Sequence, residues 1–231
     1  MKISVCIPTY NGALYIKEQL NSILIQLKED DEVIISDDSS LDETVNIIKS
    51  FNDKRICLLE GNKFKSPVYN LENALKRANG DYIFLSDQDD MWYANKVEQM
   101  LSYLKDYDCV VSDATVVDAN MKLIHPSFME LNHSKSGLLR NLIKNGFLGC
   151  CMAFRKEILD KALPIPNPIP MHDTWIGLVA EKYGKTFFLK EPLIYYRRHG
   201  NNASPTAEKS IYSFKEKLYH RFLFAKNILK R

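Results

Sequence analysis

The sequence predicts an α/β protein with a central, mostly parallel sheet flanked by helices, and two observations carry that prediction. Short apolar runs alternate with segments in which apolar residues recur every three or four positions, and polar or acidic residues follow several of the runs. Alternating strands and helices favour parallel strands joined by crossover helices. Ligands bind such sheets at the carboxyl ends of the strands. We therefore expect a ligand site at that edge.

The first half of the chain supplies four strand and helix pairs. The first helix is predicted from apolar residues at helical spacing, and the second from a capping-box sequence at 40–43. Asn79 and Gly80 end the third helix. The strands are predicted at residues 3–7, 32–36, 56–59 and 82–85, and the helices at 13–27, between the capping box and about 51, at 71–78 and at 95–104.

The second half is less regular. Four prolines between residues 164 and 170 exclude regular structure there. Strands are predicted at 109–117 and 147–154, helices at 138–143 and 173–183, and extended segments at 186–189 and 193–196.

Charge and cysteine content exclude some classes of function. The net charge of the 231 residues is +2, yet residues 208–231 hold seven Lys or Arg and only two Glu, so the rest of the chain is mildly acidic. An acidic body argues against nucleic-acid binding. The five cysteines form no C-x-x-C pair, which indicates reduced thiols in a cytoplasmic protein. We expect no signal peptide and no apolar run long enough to cross a membrane.

An acidic cluster follows the fourth predicted strand. Asp87, Asp89 and Asp90 fall within four residues, and like charges so close repel unless a counter-charge is present. A hard divalent cation that holds a diphosphate would supply it. The alternative is a solvated acidic loop that caps the next helix. Asp37 and Asp38 follow the second strand, so two acidic loops share one edge of the sheet, which favours a site.

Several well-known motifs are missing. The sequence contains no G-x-G-x-x-G after the first strand, no G-x-x-x-x-G-K-[ST] and no G-x-S-x-G. A dinucleotide-binding dehydrogenase, a P-loop NTPase and an α/β-hydrolase are therefore disfavoured.

Six motifs in register resemble family 2 glycosyltransferases of the GT-A fold, in particular the bacterial members that build O-antigen, capsule and other surface polysaccharides. The resemblance extends to about residue 204. The motifs are Ile7-Pro8-Thr9-Tyr10-Asn11, Ile35-Ser36-Asp37-Asp38-Ser39-Ser40, Gly80-Asp81-Tyr82-Ile83-Phe84-Leu85-Ser86-Asp87-Gln88-Asp89-Asp90, Gly149-Cys150-Cys151-Met152-Ala153-Phe154-Arg155, Met171-His172-Asp173-Thr174-Trp175 and Tyr196-Arg197-Arg198-His199-Gly200-Asn201-Asn202.

The resemblance implies a nucleotide pocket. Pro8, Thr9 and Tyr10 would line it, and Asp38 would accept a hydrogen bond from the imide of the base. Helix capping is the alternative for Asp37 and Asp38. Family members often carry Gly at the position of Ser39.

The resemblance also implies a diphosphate and metal site. Asp89 would ligate Mn²⁺ or Mg²⁺, and Asp87 would reach the ribose or the donor sugar. His199 would be a third metal ligand or a diphosphate contact, and its alternative is a surface histidine. One of Arg197 and Arg198 would face the pyrophosphate, while strand alternation sends the other elsewhere.

Asp173 is the candidate catalytic base, since it opens a helix after a Pro-rich loop as the family's base does. Its alternative, or additional, role is an N-cap. Many relatives carry Glu-Asp here, whereas this chain has His172 before Asp173. His172 would orient Asp173, contact the acceptor or simply pack. Trp92 is expected either against a sugar face or in the core.

The C-terminal tail is a separate signal. One apolar row recurs at steps of three or four among five basic residues, as in a helix that lies on a membrane surface. The alternative is a helix packed on its own domain or on a second subunit. The row comprises Ile211, Phe214, Leu218, Phe222, Ala225 and Leu229.

These observations predict an inverting, metal-dependent hexosyltransferase. The resemblance implies a nucleotide-sugar donor, with UDP-hexose favoured over dTDP-rhamnose, and as acceptor a glycan or a polyprenyl-diphosphate-linked glycan at the inner face of the membrane. We expect one GT-A domain over 1–205, with a nucleotide-side half to about 118 and an acceptor-side half over 119–205, and then a helix over 206–231; a homo-oligomer is left open. The alternatives are a catalytically inactive sugar-nucleotide-binding module and a sugar nucleotidyltransferase, which needs a Gly-rich basic loop that residues 8–12 lack.

Overall fold

The computed structural model describes residues 1–200 and 213–231, and the predicted fold class is confirmed. The strands are β1 (Ile3–Thr9), β2 (Glu32–Asp37), β3 (Ile56–Leu59), β4 (Tyr82–Leu85), β5 (Met91–Trp92), β6 (Cys109–Asp118), β7 (Leu123–His125), β8 (Met152–Arg155) and β9 (Thr186–Arg198). The helices are α1 (Ile16–Leu24), α2 (Thr44–Ser50), α3 (Pro67–Leu75), α4 (Lys96–Tyr103), α5 (Phe128–Asn132), α6 (Leu138–Ile143), α7 (Lys156–Ala162), α8 (His172–Tyr183) and α9 (Phe214–Lys230). The predicted boundary at 205 and 206 lies outside the described residues.

One mixed sheet runs in the order β3-β2-β1-β4-β8-β6-β9-β5, with β7 paired to β6. The first four strands of that order are parallel, β8 runs antiparallel to β4 and to β6, and β6 and β9 are again parallel. Thr9 pairs with Asp37, and Cys6 pairs with Leu85. The carboxyl ends of β1, β2 and β4 therefore meet at one edge of the sheet.

The apolar runs form a continuous core. Ile3, Val5, Cys6 and Ile7 of β1 are all buried, as expected of a central parallel strand that is covered on both faces. The core continues through α8 to Ile228 of the C-terminal helix.

The predicted strand at 147–154 is only half right. Residues Gly149–Cys151 form a 3₁₀ turn, and the strand begins at Met152. The turn directs the carbonyl oxygen of Cys150 to the Nζ of Lys96, 2.6 Å away. An unbroken strand would point this carbonyl along the sheet ladder instead.

The predicted capping box does not form. Helix α2 begins at Thr44 without a side-chain cap, because the Ser40 hydroxyl is used elsewhere. It donates to Asp37 Oδ2 (2.5 Å) and accepts from the Asn11 backbone N–H (2.9 Å). The two segments predicted near 186–196 are joined into the single strand β9, which contains register shifts opposite Asp113.

All five cysteines are free thiols, and only Cys57 is exposed. Of the helices in residues 1–200 and 213–231, none combines the length and the apolar character needed to cross a bilayer.

Candidate active site

A cavity of about 730 Å³ opens at the carboxyl ends of β1, β2 and β4. This volume is typical of small-molecule sites. The wall also includes the 3₁₀ turn at Gly149 and the first turn of α8. The predicted site residues on the wall are Pro8, Thr9, Tyr10, Asp38, Asp87, Asp89 and Asp173. The structure thus gathers most of the predicted set in one cleft.

The two aspartates after β2 have different surroundings. Asp37 is buried and accepts hydrogen bonds from Thr9 Oγ1 (2.9 Å) and from the Ser40 backbone N–H (2.8 Å). Asp38 lies on the cavity wall, where its Oδ1 accepts from the Phe64 N–H at 2.6 Å. Ser39 between them has φ +62°, a left-handed conformation that Gly adopts without strain. Asp37 therefore fixes a turn that presents Asp38 to the cavity, and neither residue caps a helix.

Gln88 ties the loops after β1 and β4 together, a role that sequence reasoning missed. Its Oε1 accepts from the Tyr10 N–H (2.9 Å), and its Nε2 donates to the Tyr10 carbonyl (3.0 Å). A Cβ at Gly12 would lie 2.4 Å from Gln88 Oε1. Gly12 is therefore needed for this close approach.

The acidic cluster after β4 is crowded and partly buried. One ligand atom each of Asp87, Asp90 and Cys150 lie within 4.8 Å of one another. Burial, and then the charges of Asp89 and Asp173, raise the pKa of Asp87 to about 7. Burial also raises the pKa of Asp90 well above its usual range. Without an added cation, this site disfavours full ionisation.

Lys96 is a buried counter-charge that the sequence analysis did not single out. Its side chain is fully buried, and its Nζ lies 4.5 Å from the centroid of the Trp92 ring. Burial lowers the pKa of Lys96, and the nearby Asp90 and Asp87 carboxylates oppose that shift. The signal in the sequence was the step of four residues from Lys96 to Met100, which places both on the buried face of α4.

His199 reaches the acidic loop from the end of β9. Its Nε2 lies 2.8 Å from Asp89 Oδ2, and its ring stacks on Tyr15 with a centroid distance of 4.9 Å. Both partners are largely shielded, with side-chain exposures of 12% for His199 and 13% for Asp89. The surface-histidine alternative therefore does not describe this residue.

The two arginines of β9 lie off the described wall of the cavity. Arg197 is buried, its Nη2 donates to Glu18 Oε2 at 2.7 Å, and its guanidinium lies over Tyr15. Its backbone N–H donates to Asp90 Oδ1. The guanidinium of Arg198 lies 5.7 Å from the Tyr196 ring, and Tyr196 is on the wall.

Asp173 lies on the wall of the same cavity as the loop after β1. Helix α8 begins at His172 with Met171 as its cap residue, so Asp173 stands inside the first turn and is not the N-cap. Its exposure is 6%. Burial raises the pKa of Asp173, an effect that nearby His172 opposes, and burial lowers the pKa of His172. A Cβ at Gly149 would lie 3.2 Å from His172 Nε2, so the 3₁₀ turn packs tightly against this helix start.

Trp92 belongs to the core. Its exposure is 3%, and its ring packs against Phe84 with a centroid distance of 5.8 Å. Of the two expectations for this residue, the one that put it against a sugar face is wrong.

The residues of the acidic loop fit a divalent cation. Asp89 and His199 offer oxygen and nitrogen donors side by side, and Asp87 adds a second carboxylate on the same wall. Behind them, the buried Asp90 Oδ2 has no hydrogen-bond partner among the described residues. Two carboxylates and an imidazole suit Mn²⁺, and the carboxylates alone suit Mg²⁺.

Comparison with known proteins identifies the family. The family model described as Glycosyl transferase family 2 matches residues 4–163. The dTDP-rhamnosyl transferase RfbG of Shigella flexneri is 32% identical over 213 residues, which cover 84% of this chain and 72% of RfbG. The UDP-Glc:alpha-D-GlcNAc-diphosphoundecaprenol beta-1,3-glucosyltransferase WfgD of Escherichia coli is 29% identical over 189 residues, which cover 78% of this chain and 70% of WfgD.

Solved structures agree on the fold. The structure of S. aureus TarS in complex with UDP-GlcNAc superposes with a TM-score of 0.73 at 22% identity, and the match covers 99% of this chain. The match covers 67% of that solved chain, which comprises residues 1–349 of TarS. The chain therefore belongs to glycosyl transferase family 2 and is a glycosyltransferase of the GT-A fold.

Proposed function

We propose that the chain transfers a hexose from a nucleotide-sugar donor to a hydroxyl of a lipid-linked glycan, with inversion at the anomeric carbon. One observation carries the proposal. Carboxylates from three separate parts of the chain, Asp38, Asp89 and Asp173, line a single cavity. Asp38 suits the nucleobase, Asp89 suits the diphosphate, and Asp173 suits the acceptor hydroxyl.

The nucleotide binds along the loops after β1 and β2. Pro8, Thr9 and Tyr10 form one side of its pocket, and Asp38 accepts the imide N–H of a uracil or thymine. The hydrogen bonds of Asp37 and the Gln88 link to Tyr10 hold these loops before the donor arrives. Binding then requires little ordering of the pocket, which favours affinity.

The diphosphate binds beside Asp89. Asp89 and His199 would hold Mn²⁺ or Mg²⁺, with Asp87 next to them, and such a cation neutralises negative charge on a leaving diphosphate when it is bound. For a direct contact with the diphosphate we propose Arg198, because its guanidinium lies over Tyr196, a residue of the cavity wall. Asp87, on the same cavity wall, would contact the ribose or the donor sugar.

Asp173 acts as the base. The acceptor hydroxyl gives its proton to the Asp173 carboxylate, its oxygen bonds to the anomeric carbon, and the bond from that carbon to the diphosphate oxygen breaks. The nucleoside diphosphate leaves with the bonding electron pair, and attack from the opposite face inverts the configuration. Burial raises the pKa of Asp173, which makes it a stronger base than an exposed aspartate.

The relatives support the choice of substrates. WfgD is named for UDP-Glc and for a diphosphoundecaprenol-linked acceptor, and RfbG is named for dTDP-rhamnose. We infer a UDP-hexose as the first donor to test and dTDP-rhamnose as the second. We further propose that residues 1–205 form the catalytic domain, with the nucleotide bound by the half up to about 118 and the acceptor by the half over 119–205.

A nucleotide-sugar panel tests this function. Thermal shift and calorimetry with UDP-hexoses, dTDP-rhamnose and GDP-mannose, each with and without Mn²⁺, should show one preferred donor whose binding needs the cation. Release of nucleoside diphosphate with and without a lipid-linked GlcNAc acceptor then measures turnover. Donor binding without release under either condition would indicate an inactive binding module instead.

A further inference from the structure

Helix α9 has two apolar faces, and only one of them packs on the protein. Leu223, Phe224 and Ile228 are buried against the domain, where α9 contacts α6 and α8. The Nζ of Lys182 donates to the Ile228 carbonyl at 2.7 Å. The guanidinium of Arg231 lies over Trp175, 5.7 Å from the ring centroid. These contacts fix the helix to the domain.

The second face is the apolar row that the sequence analysis singled out, and it is exposed. Phe214, Leu218, Phe222 and Leu229 are 76%, 56%, 60% and 82% exposed. Their spacing of four, four and seven residues places them in one stripe on the side of the helix away from the domain. The predicted member Ile211 lies outside the described residues. We call these four residues the exposed stripe.

Basic side chains run beside the exposed stripe. Lys215, Lys226 and Lys230 are exposed and form an adjacent row. The single acidic residue of the helix, Glu216, closes a capping box with Ser213 and lies on the other side of the helix. An apolar stripe bordered by cations and free of acids complements an anionic lipid surface, where the rings and leucines enter the acyl boundary and the ammonium groups meet headgroups.

We propose that the exposed stripe of α9 docks this enzyme on an anionic membrane. The proposal is independent of the donor chemistry above, since docking needs neither donor nor acceptor. If the proposed acceptor is correct, docking also holds the domain, on which α9 packs through α6 and α8, at the surface that carries a lipid-linked substrate. A second copy of the chain is the competing occupant of the stripe.

The test is sedimentation of the full chain with vesicles, without donor or metal. Vesicles of phosphatidylglycerol and phosphatidylcholine in equal parts should bind the protein at low salt. Pure phosphatidylcholine vesicles should bind it weakly, and high salt should weaken its binding to the anionic vesicles. The variant with Leu218→Ser and Phe222→Ser should partition roughly tenfold less. The variant with Lys215→Gln and Lys226→Gln should lose the preference for anionic vesicles. Ile25→Ser is the matched control, because Ile25, directly after α1, is an apolar residue outside α9 that is 81% exposed.

Unchanged melting temperatures would show that these surface variants remain folded. Equal vesicle binding by the stripe variant and the wild type would overturn the proposal. It would also be overturned if the wild type ignored vesicles and sedimented as a dimer that the stripe variant converts to a monomer. Calorimetry of donor binding, run separately, keeps a failure of the proposed function distinct from a failure of docking.

Discussion

His199 Nε2 lies 2.8 Å from Asp89 Oδ2, which joins the end of strand β9 to the acidic loop after strand β4. The two residues are 110 positions apart in the chain. The Tyr15 ring under His199 and the backbone bond from Arg197 to Asp90 keep this junction in place.

Asp89→Ala should reduce transfer roughly a hundredfold or more, since it removes a charge that holds the cation and the diphosphate. It should also remove the difference between donor affinities measured with and without Mn²⁺ by calorimetry. Asp106→Ala, at an exposed carboxylate in the loop after α4, is the control and should behave as the wild type. A variant at Asp89 that still binds donor more tightly with Mn²⁺ would remove this residue from the metal site.

Asp173→Asn should leave donor affinity nearly unchanged and lower the rate of transfer by about three orders of magnitude, within the usual range for loss of a general base. The amide keeps the shape and the bond to the Thr174 N–H, where the Asp173 Oδ1 accepts at 2.6 Å. Calorimetry and release of nucleoside diphosphate are the two measurements. Normal turnover by this variant would show that another group takes the proton.

The pH profile should carry the signature of a buried base. Burial raises the pKa of Asp173, so kcat/KM should fall on the acid side at a pH above the ordinary value of 3.8 for an aspartate. The same raised pKa makes the stability of the fold depend on pH. A carboxyl whose pKa is higher in the folded state than in the unfolded state stabilises the fold at low pH, and this contribution is lost as the pH rises through the folded-state pKa.

Asp173→Asn should therefore raise the melting temperature of the metal-free protein at neutral pH. The gain should vanish as the pH falls toward the ordinary aspartate value, where both states are protonated. Loss of activity with gain of stability is the expected trade-off for a residue kept for chemistry. A variant that melts at a lower temperature than the wild type at neutral pH would contradict this predicted gain in stability.

Lys96→Met should destabilise the protein by about 3 kcal/mol, because it leaves Asp87 and Asp90 without their buried counter-charge and the Cys150 carbonyl without its donor. Urea unfolding of the metal-free protein measures the change. Lys105→Met, at an exposed position, is the matched control. If the two variants unfold at the same urea concentration, the buried ammonium contributes nothing to the acidic site.

The local patterns predicted most of the first half. The strands 32–36, 56–59 and 82–85 correspond to β2, β3 and β4, since an apolar run between turn residues has few alternatives. Errors arose where a side chain found a distant partner. Ser40 bonds Asn11 and Asp37 instead of capping a helix, and the run before Phe154 turns to meet Lys96. Contacts between residues far apart in the chain produce no periodic pattern in the sequence, so the sequence could not predict them.

The sequence by itself determined the α/β alternation, the acidic loops at the strand ends and the apolar row of the tail, because these depend on neighbours within a few residues. Only the tertiary structure decided that Asp37 supports the turn while Asp38 faces the cavity, that Trp92 is core, and that His199 reaches Asp89. It also decided which face of the C-terminal helix is buried, because a periodic pattern defines the faces of a helix and only the rest of the fold determines which one it covers.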